Sequence, residues 1–194
     1  MLGDGRVLVC GGGTAQCELY SPSSGTWTAA AAMSVSRTMA SAALLGDGRV
    51  LMAAGEETGS AQLYDPGTNQ WSSAGTSAGV TGAAAVRLGD GRVMLIGGKS
   101  GIVPQPGVRI FDPSSASWTT GPALPTARAE HTATRTRSGK VVVAGGTSGG
   151  AALGTVHVYD PGAGTWSTPA AGMTEPRRGH AAVLLPSDRV LLLG

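Results

Sequence analysis

Two stretches of this 194-residue chain, Gly75-Thr76-Ser77-Ala78-Gly79 and Gly146-Thr147-Ser148-Gly149-Gly150, match the pattern G-x-S-x-G. In that pattern a serine nucleophile for acyl transfer is raised on a sharp turn between a strand and a helix. No helical period follows either stretch, so both read as Gly/Ser-rich turns. Gly98-Lys99-Ser100 ends like a loop that cradles phosphate, but Val93 stands where that loop needs its first Gly, and again no helix follows. Of the three histidines, His131 and His180 each lie three residues after an arginine, Arg128 and Arg177. A slot that recurs in this way favours a structural ring near the start of a strand over a metal ligand. His157 shares its slot with Glu18, Gln62 and Arg109, as a variable polar edge position would. No residue is assigned to catalysis or to a metal, and no cofactor is expected.

Composition narrows the field further. Charged residues make up 13% of the chain, the net charge is +2, and there is no basic run, which argues against a nucleic-acid partner. No apolar stretch is long enough to enter a membrane as a helix, and the residues from Met1 onward carry no signal-peptide pattern. Cys10 and Cys17 flank a Gly-rich loop. A cross-strand disulfide between them is geometrically conceivable. The apolar residues in the matching slots of the other repeats, Ala53, Ile96 and Ala144 for Cys10 and Ala61, Val108 and Val156 for Cys17, favour two buried free thiols instead.

Those matching slots exist because the chain is a repeat. The phrase LGDGRVLVCGG at Leu2 returns as LGDGRVLMAAG at Leu45 and LGDGRVMLIGG at Leu88, with looser copies at Arg137 and Pro186. Trp27, Trp71, Trp118 and Trp166 each follow an aromatic residue (Tyr20, Tyr64, Phe111, Tyr159) by seven positions, across a Ser-Pro or Asp-Pro turn. Each unit carries four strand signals. A run of small and aliphatic residues ends in the Gly-Asp-Gly turn, which suits a two-residue hairpin. A continuous apolar run, buried on both faces, ends in a Gly pair. An alternating strand carries the Tyr or Phe, and the last strand carries the Trp. Four short strands per unit and no helix predict an all-β propeller of about four four-stranded antiparallel blades. The units span about 1–36, 37–79, 80–127 and 128–176, with the start of a fifth over 177–194. The eight aromatic residues all fall in the repeat, so they are expected to fill the space between blades.

The Gly pair, the Tyr and the Trp together resemble the kelch repeat, as at Gly11-Gly12/Tyr20/Trp27, Gly97-Gly98/Phe111/Trp118 and Gly145-Gly146/Tyr159/Trp166. The second unit departs with Ala54-Gly55, and Val80 replaces the arginine that opens the other units as Arg37, Arg128 and Arg177. The wording is similar to that of bacterial kelch proteins and the propeller domain of galactose-oxidase-like enzymes. The resemblance implies a non-catalytic scaffold for protein or glycan, with a secreted or cell-surface setting. Its alternative implication is a propeller stretch of a secreted copper-radical carbohydrate oxidase. Such enzymes hold copper with Tyr and His, one Tyr being crosslinked to Cys. All three tyrosines here fill the repeated slot, and that ligand set does not transfer.

In a four-stranded antiparallel blade the loops alternate between two faces. The Gly-Asp-Gly and Asp-Pro turns share one face and are short and uniform, whereas the loops on the other face vary in length and sequence. Variable loops on a rigid scaffold are where binding residues concentrate. The candidate binding residues on that face are Arg37, Glu56, Glu57, Lys99, Arg128, Glu130, Arg177 and Arg178, with Glu175 beside them. The shared repeat slot gives Arg37, Arg128 and Arg177 a structural alternative. The chain opens on a second strand and runs on into another second strand at Arg189, an overrun of one strand against a closed four-blade ring. Part of a larger propeller, or self-association through open ends, is the expectation.

Overall fold

The computed structural model describes residues 1–194. It contains twenty-one strands and no helix. Blade I is a three-stranded sheet of β1 (Val7–Cys10), β2 (Cys17–Ser21) and β3 (Thr26–Ala30). Blade II holds β4 (Ser41–Leu44), β5 (Val50–Ala53), β6 (Ser60–Asp65) and β7 (Gln70–Thr76). Blade III begins with β8 (Ala84–Arg87) and β9 (Val93–Ile96). A small hairpin, β10 (Lys99–Ser100) and β11 (Val103–Pro104), interrupts it before β12 (Val108–Asp112) and β13 (Ser117–Thr120). Blade IV repeats the plan with β14 (Thr132–Arg135), β15 (Val141–Ala144), the hairpin β16 (Thr147–Ser148) and β17 (Ala151–Ala152), then β18 (Val156–Asp160) and β19 (Thr165–Ser167). β20 (Ala181–Leu184) and β21 (Val190–Leu193) pair as a separate two-stranded sheet, which is not joined to blade I.

All pairings within blades are antiparallel, and the first strands converge, β4 beside β8, β8 beside β14 and β14 beside β20. Small side chains predominate where these strands meet. A cleft of about 260 Å³ there is lined by Ser41, His131, Thr132, Thr134 and alanines including Ala84 and Ala182. The second strands β5 and β9 are buried along their whole length, as their continuous apolar runs predict. β1 and β21 have the same kind of sequence but lie on sheets with an uncovered face: β21 alternates between half-buried and exposed, and β1 is half-buried except at Val9, with no residue of either strand fully buried.

Three details differ from the sequence expectation. The Gly-Asp-Gly segments are not two-residue hairpin turns. Leu44 pairs with Val50, so five residues form the loop, closed by Gly48 N–H donating to Leu45 C=O and by the Asp47 carboxylate accepting from Arg49 N–H. The aromatic pairs form as expected, with ring centroids about 5 Å apart. Yet their burial is unequal. Tyr64 and Phe111 are fully buried, the partner tryptophans of blades II to IV are half-buried, and Trp27 of blade I is 54% exposed.

The third difference is the cysteines, which form a disulfide rather than free thiols. Cys10 and Cys17 are direct partners in the β1–β2 ladder with Cα atoms 4.2 Å apart. The apolar residues in the matching slots favoured free thiols, but the symmetric placement about the Gly-rich loop, which makes the two cysteines face each other, decides the outcome. Alkylation of the unfolded, unreduced chain should add nothing, and two adducts should appear after reduction. Replacing both cysteines by alanine should cost about 2 kcal/mol, the low end for a short loop.

In blades III and IV the Gly pair follows the second strand where the next blade comes too close for a side chain. The second glycine donates its N–H to the carbonyl of the residue that opens the following unit, as in Gly98 to Arg128 and Gly146 to Arg177. A Cβ on Gly97 would meet the Arg128 carbonyl oxygen at 2.6 Å. Ala54, which departs from the pattern, is held at φ 60 like Gly97 at 61.

Candidate functional site

The recurring arginines are struts. Arg37 and Arg128 are fully buried. Arg37 donates to Ala54 C=O at 2.7 Å and to Ser60 Oγ, with Glu56 at 3.7 Å. Arg128 donates to Gly145 C=O at 2.9 Å, Thr155 C=O at 3.0 Å and Thr155 Oγ1. Arg177 donates to Gly194 C=O. In these three units, though not in blade III where Val80 takes the slot, the guanidinium holds the positive-φ residue that follows the second strand of its own unit. The expectation that Arg37 and Arg128 stand on a ligand rim therefore does not hold, because their guanidinium groups are turned inside the blade and solvent does not reach them. Glu56 belongs to the same internal network. Burial pushes its carboxyl up, but hydrogen bonds from Thr58 and Ser60 outweigh this and leave it below its ordinary range.

The other candidates do reach the variable-loop face. Lys99 on β10 and Glu130 at the entry to blade IV form an ion pair at 2.6 Å that bridges blades III and IV. Glu57 and Arg178 are exposed and form no ion pair, and Glu175 is exposed as well. Between these side chains runs a chain of backbone hydrogen bonds from blade to blade. Gly82 N–H donates to Met39 C=O, Glu130 N–H to Gly82 C=O, and Gly179 N–H to Glu130 C=O. All four residues have positive φ, 55 at Met39, 64 at Gly82, 59 at Glu130 and 62 at Gly179. The β10–β11 hairpin projects from this face with Ile102 at its tip 93% exposed.

The two G-x-S-x-G stretches carry no nucleophile elbow. Ser77 is buried with its hydroxyl donating to Gly59 C=O, and Ser148 lies in the β16–β17 hairpin. The histidine slot is structural. The Cε1 of His131 lies where a Cβ on Gly97 would come within 2.9 Å, and His180 is placed the same way against Gly145. His180 Nε2 shares a hydrogen bond with Thr132 Oγ1, and His157 Nδ1 shares one with Thr168 Oγ1.

Burial, followed by the charges of Arg128 and His180, pushes His131 down to about 3. Burial and then Arg128 push His157 to about 4, and burial and then Arg177 lower His180. The unfolded chain takes up these protons near pH 6.5. Stability from these groups is therefore complete above pH ~6.5 and is lost as pH falls from there toward the lowered values. Hydrogen bonds from Arg6 and Arg49 hold Asp4 and Asp47 below the usual carboxylate range, so their contribution fades only further down. Urea midpoints should drop between about pH 7 and pH 5, and less so in His131→Gln. A flat profile would contradict the buried neutral rings.

A cleft of about 520 Å³ lies on the opposite, short-turn face and is lined by residues including Asp47, Arg87, Asp90 and Asp112. Similar clefts recur between the neighbouring turns, and the Asp47–Arg49 and Asp90–Arg92 pairs satisfy each other there. It is a product of the repeat rather than a distinct site. The residues present do not fit a copper centre. Tyr64 is buried and its hydroxyl donates to Asn69, both cysteines are in the disulfide, and no three His, Cys, Asp or Glu side chains converge.

Comparison with known proteins agrees with this geometry. Residues 131–171 match the family model described as the Kelch motif. No curated protein matches the chain in sequence at a significant level. Among solved structures the chain is similar to a fungal alcohol oxidase described as a novel member of the AA5 family with catalytic diversity, in complex with copper. The two are 17% identical with a TM-score of 0.63, over 97% of this chain and 56% of that one. The chain thus spans little more than half the length of the oxidase it matches. Blades of antiparallel strands, Gly pairs closed by the next blade and Tyr/Phe–Trp pairs give this chain a β-propeller fold, with a Kelch motif matched over residues 131–171.

Proposed function

We propose that the chain is a non-catalytic binding scaffold whose variable-loop face holds a protein or glycan partner through Glu57, Lys99, Glu130 and Arg178. Glu130 carries this reading. Two of the equivalent positions at the blade entries are glycine, and a non-glycine residue held at positive φ costs about 1–2 kcal/mol. A carboxylate kept at that cost, on the face with the variable loops, points to a role outside the fold. The disulfide suits the oxidising setting of a secreted or surface protein. Glu130→Gly should leave stability unchanged or raise it by up to about 1 kcal/mol, while weakening capture on glycan and peptide arrays. Loss of stability with unchanged capture would overturn the reading.

A second reading rests on the structural similarity to the copper oxidase: the propeller belongs to an enzyme of that kind whose site lies largely on other residues. Copper bound by this chain itself is the result that counts for the second reading. The scaffold reading expects no stoichiometric copper on this chain and no peroxide release with galactose or aliphatic alcohols. One copper per chain with peroxide release favours the oxidase.

A further inference from the structure

Between blades II and III, on the variable-loop side, lies a cleft of about 250 Å³. Val80, Leu95 and Val108 give it apolar walls. Gly121 keeps it open, since a Cβ there would come 2.9 Å from Val108 Cγ1. One cation lines this apolar space, Arg109 on β12. Its Nη1 donates to Thr120 Oγ1 at 3.0 Å, no carboxylate lies within ion-pair distance, and its Nε has no hydrogen-bond partner. In the matching slot, Gln62 accepts from Ser34 N–H and His157 is held by Thr168. Arg109 is thus a half-buried guanidinium with one edge tied down and the Nε/Nη2 edge unspent. That edge is the one that takes a carboxylate bidentately, once the exposed end of the side chain turns.

We propose that this cleft binds an aliphatic carboxylate, with the chain in the apolar slot and the carboxylate on Arg109. This deepens the scaffold reading and rests on its assignment of the variable-loop face as the ligand face. At roughly 30 Å³ per non-hydrogen atom the cleft holds about eight such atoms, the size of hexanoate. The same chemistry is offered by a free fatty acid or by the C-terminal residue of a polypeptide ending in leucine.

The test is a titration of the isotope-labelled full chain with hexanoate, followed by amide NMR shifts at constant ionic strength. Hexanoate should move Val108, Arg109 and Gly121 and saturate. Hexanamide should bind about tenfold more weakly, as expected for loss of one charge-assisted contact. Arg109→Gln should remove the preference for the acid, whereas Lys99→Gln should keep it. A peptide ending in leucine, with a free or an amidated terminus, separates the sources: a free-acid peptide tighter than hexanoate identifies a polypeptide ligand, and a weaker one identifies a free acid. Equal binding of hexanoate and hexanamide to the wild-type chain, or no shifts at these residues, overturns the proposal without reference to any variant. If the cleft fails while Glu130→Gly still weakens capture, the scaffold reading stands. If Glu130→Gly changes nothing while hexanoate binds, it is the charged rim that fails.

Discussion

Trp118→Ala is expected to lower unfolding stability by about 3 kcal/mol, at the low end for truncating a large aromatic in a core. The ring of Trp118 packs between blades II and III, against a cluster that includes Leu51, Ala74, Leu95 and Phe111. Its Nε1 donates across the gap to Ala74 C=O at 2.7 Å. Trp71 makes the same reach to Ala31 C=O and Trp166 to Pro122 C=O, so each tryptophan fastens its blade to the one before. Trp27 supplies an internal control. It stacks on Tyr20 as the others stack on their partners, but it lies over half exposed and donates to no carbonyl. Trp27→Ala should therefore cost well under half as much as Trp118→Ala. Denaturant midpoints of the two variants, with unchanged slopes, measure this directly. Equal losses would mean that the tryptophan acts within its own blade, through the ring pair alone, and that the inter-blade bond contributes nothing.

That contrast shows what a sequence of this kind displays and what it hides. The strands, the Gly pairs and the aromatic spacing were legible because each follows from local chemistry repeated four times. The partners across the gap were not. Nothing in the spacing of Trp118 says that Ala74 will accept its N–H, because that depends on how one twisted sheet stacks on another. The disulfide was half visible: Cys10 and Cys17 flank one loop symmetrically, but their apolar slot-mates in the other units carry no sign of a pair. The arginine slot was half visible. Arg37, Arg128 and Arg177 recur, and the residues they hold, Ala54, Gly145 and Gly194, each lie seventeen positions on. That constant spacing is the sequence signature of a strut. Arg109 gave only the weaker signal of a cation in a slot otherwise filled by Glu18, Gln62 and His157, and its cleft exists only once blades II and III are packed.

Arg128→Ala should be as damaging as Trp118→Ala or more so, at about 3–5 kcal/mol, whereas Arg178→Ala on the neighbouring unit should stay within about 0.5 kcal/mol. The buried Arg128 guanidinium satisfies Gly145 C=O and both the carbonyl and the hydroxyl of Thr155. Burial pushes its pKa down to about 10, so it is still charged at neutral pH. Truncation leaves the buried Gly145 carbonyl without a donor, at about 1–3 kcal/mol, strips Thr155 of its side-chain partner, and opens a void where the side chain lay. Lysine should not rescue it. One ammonium on a flexible stem cannot reproduce the planar fork that reaches Gly145 and Thr155 together. The loss should also be local in kind. Gly145 ends β15 where Gly146 N–H meets Arg177 C=O of the next unit, so hydrogen exchange in Arg128→Ala should quicken first at Gly145, Gly146 and Thr155. Faster exchange spread evenly over all blades, or an Arg128→Lys variant as stable as the wild type, would show that the slot needs only a positive charge and not this particular fork.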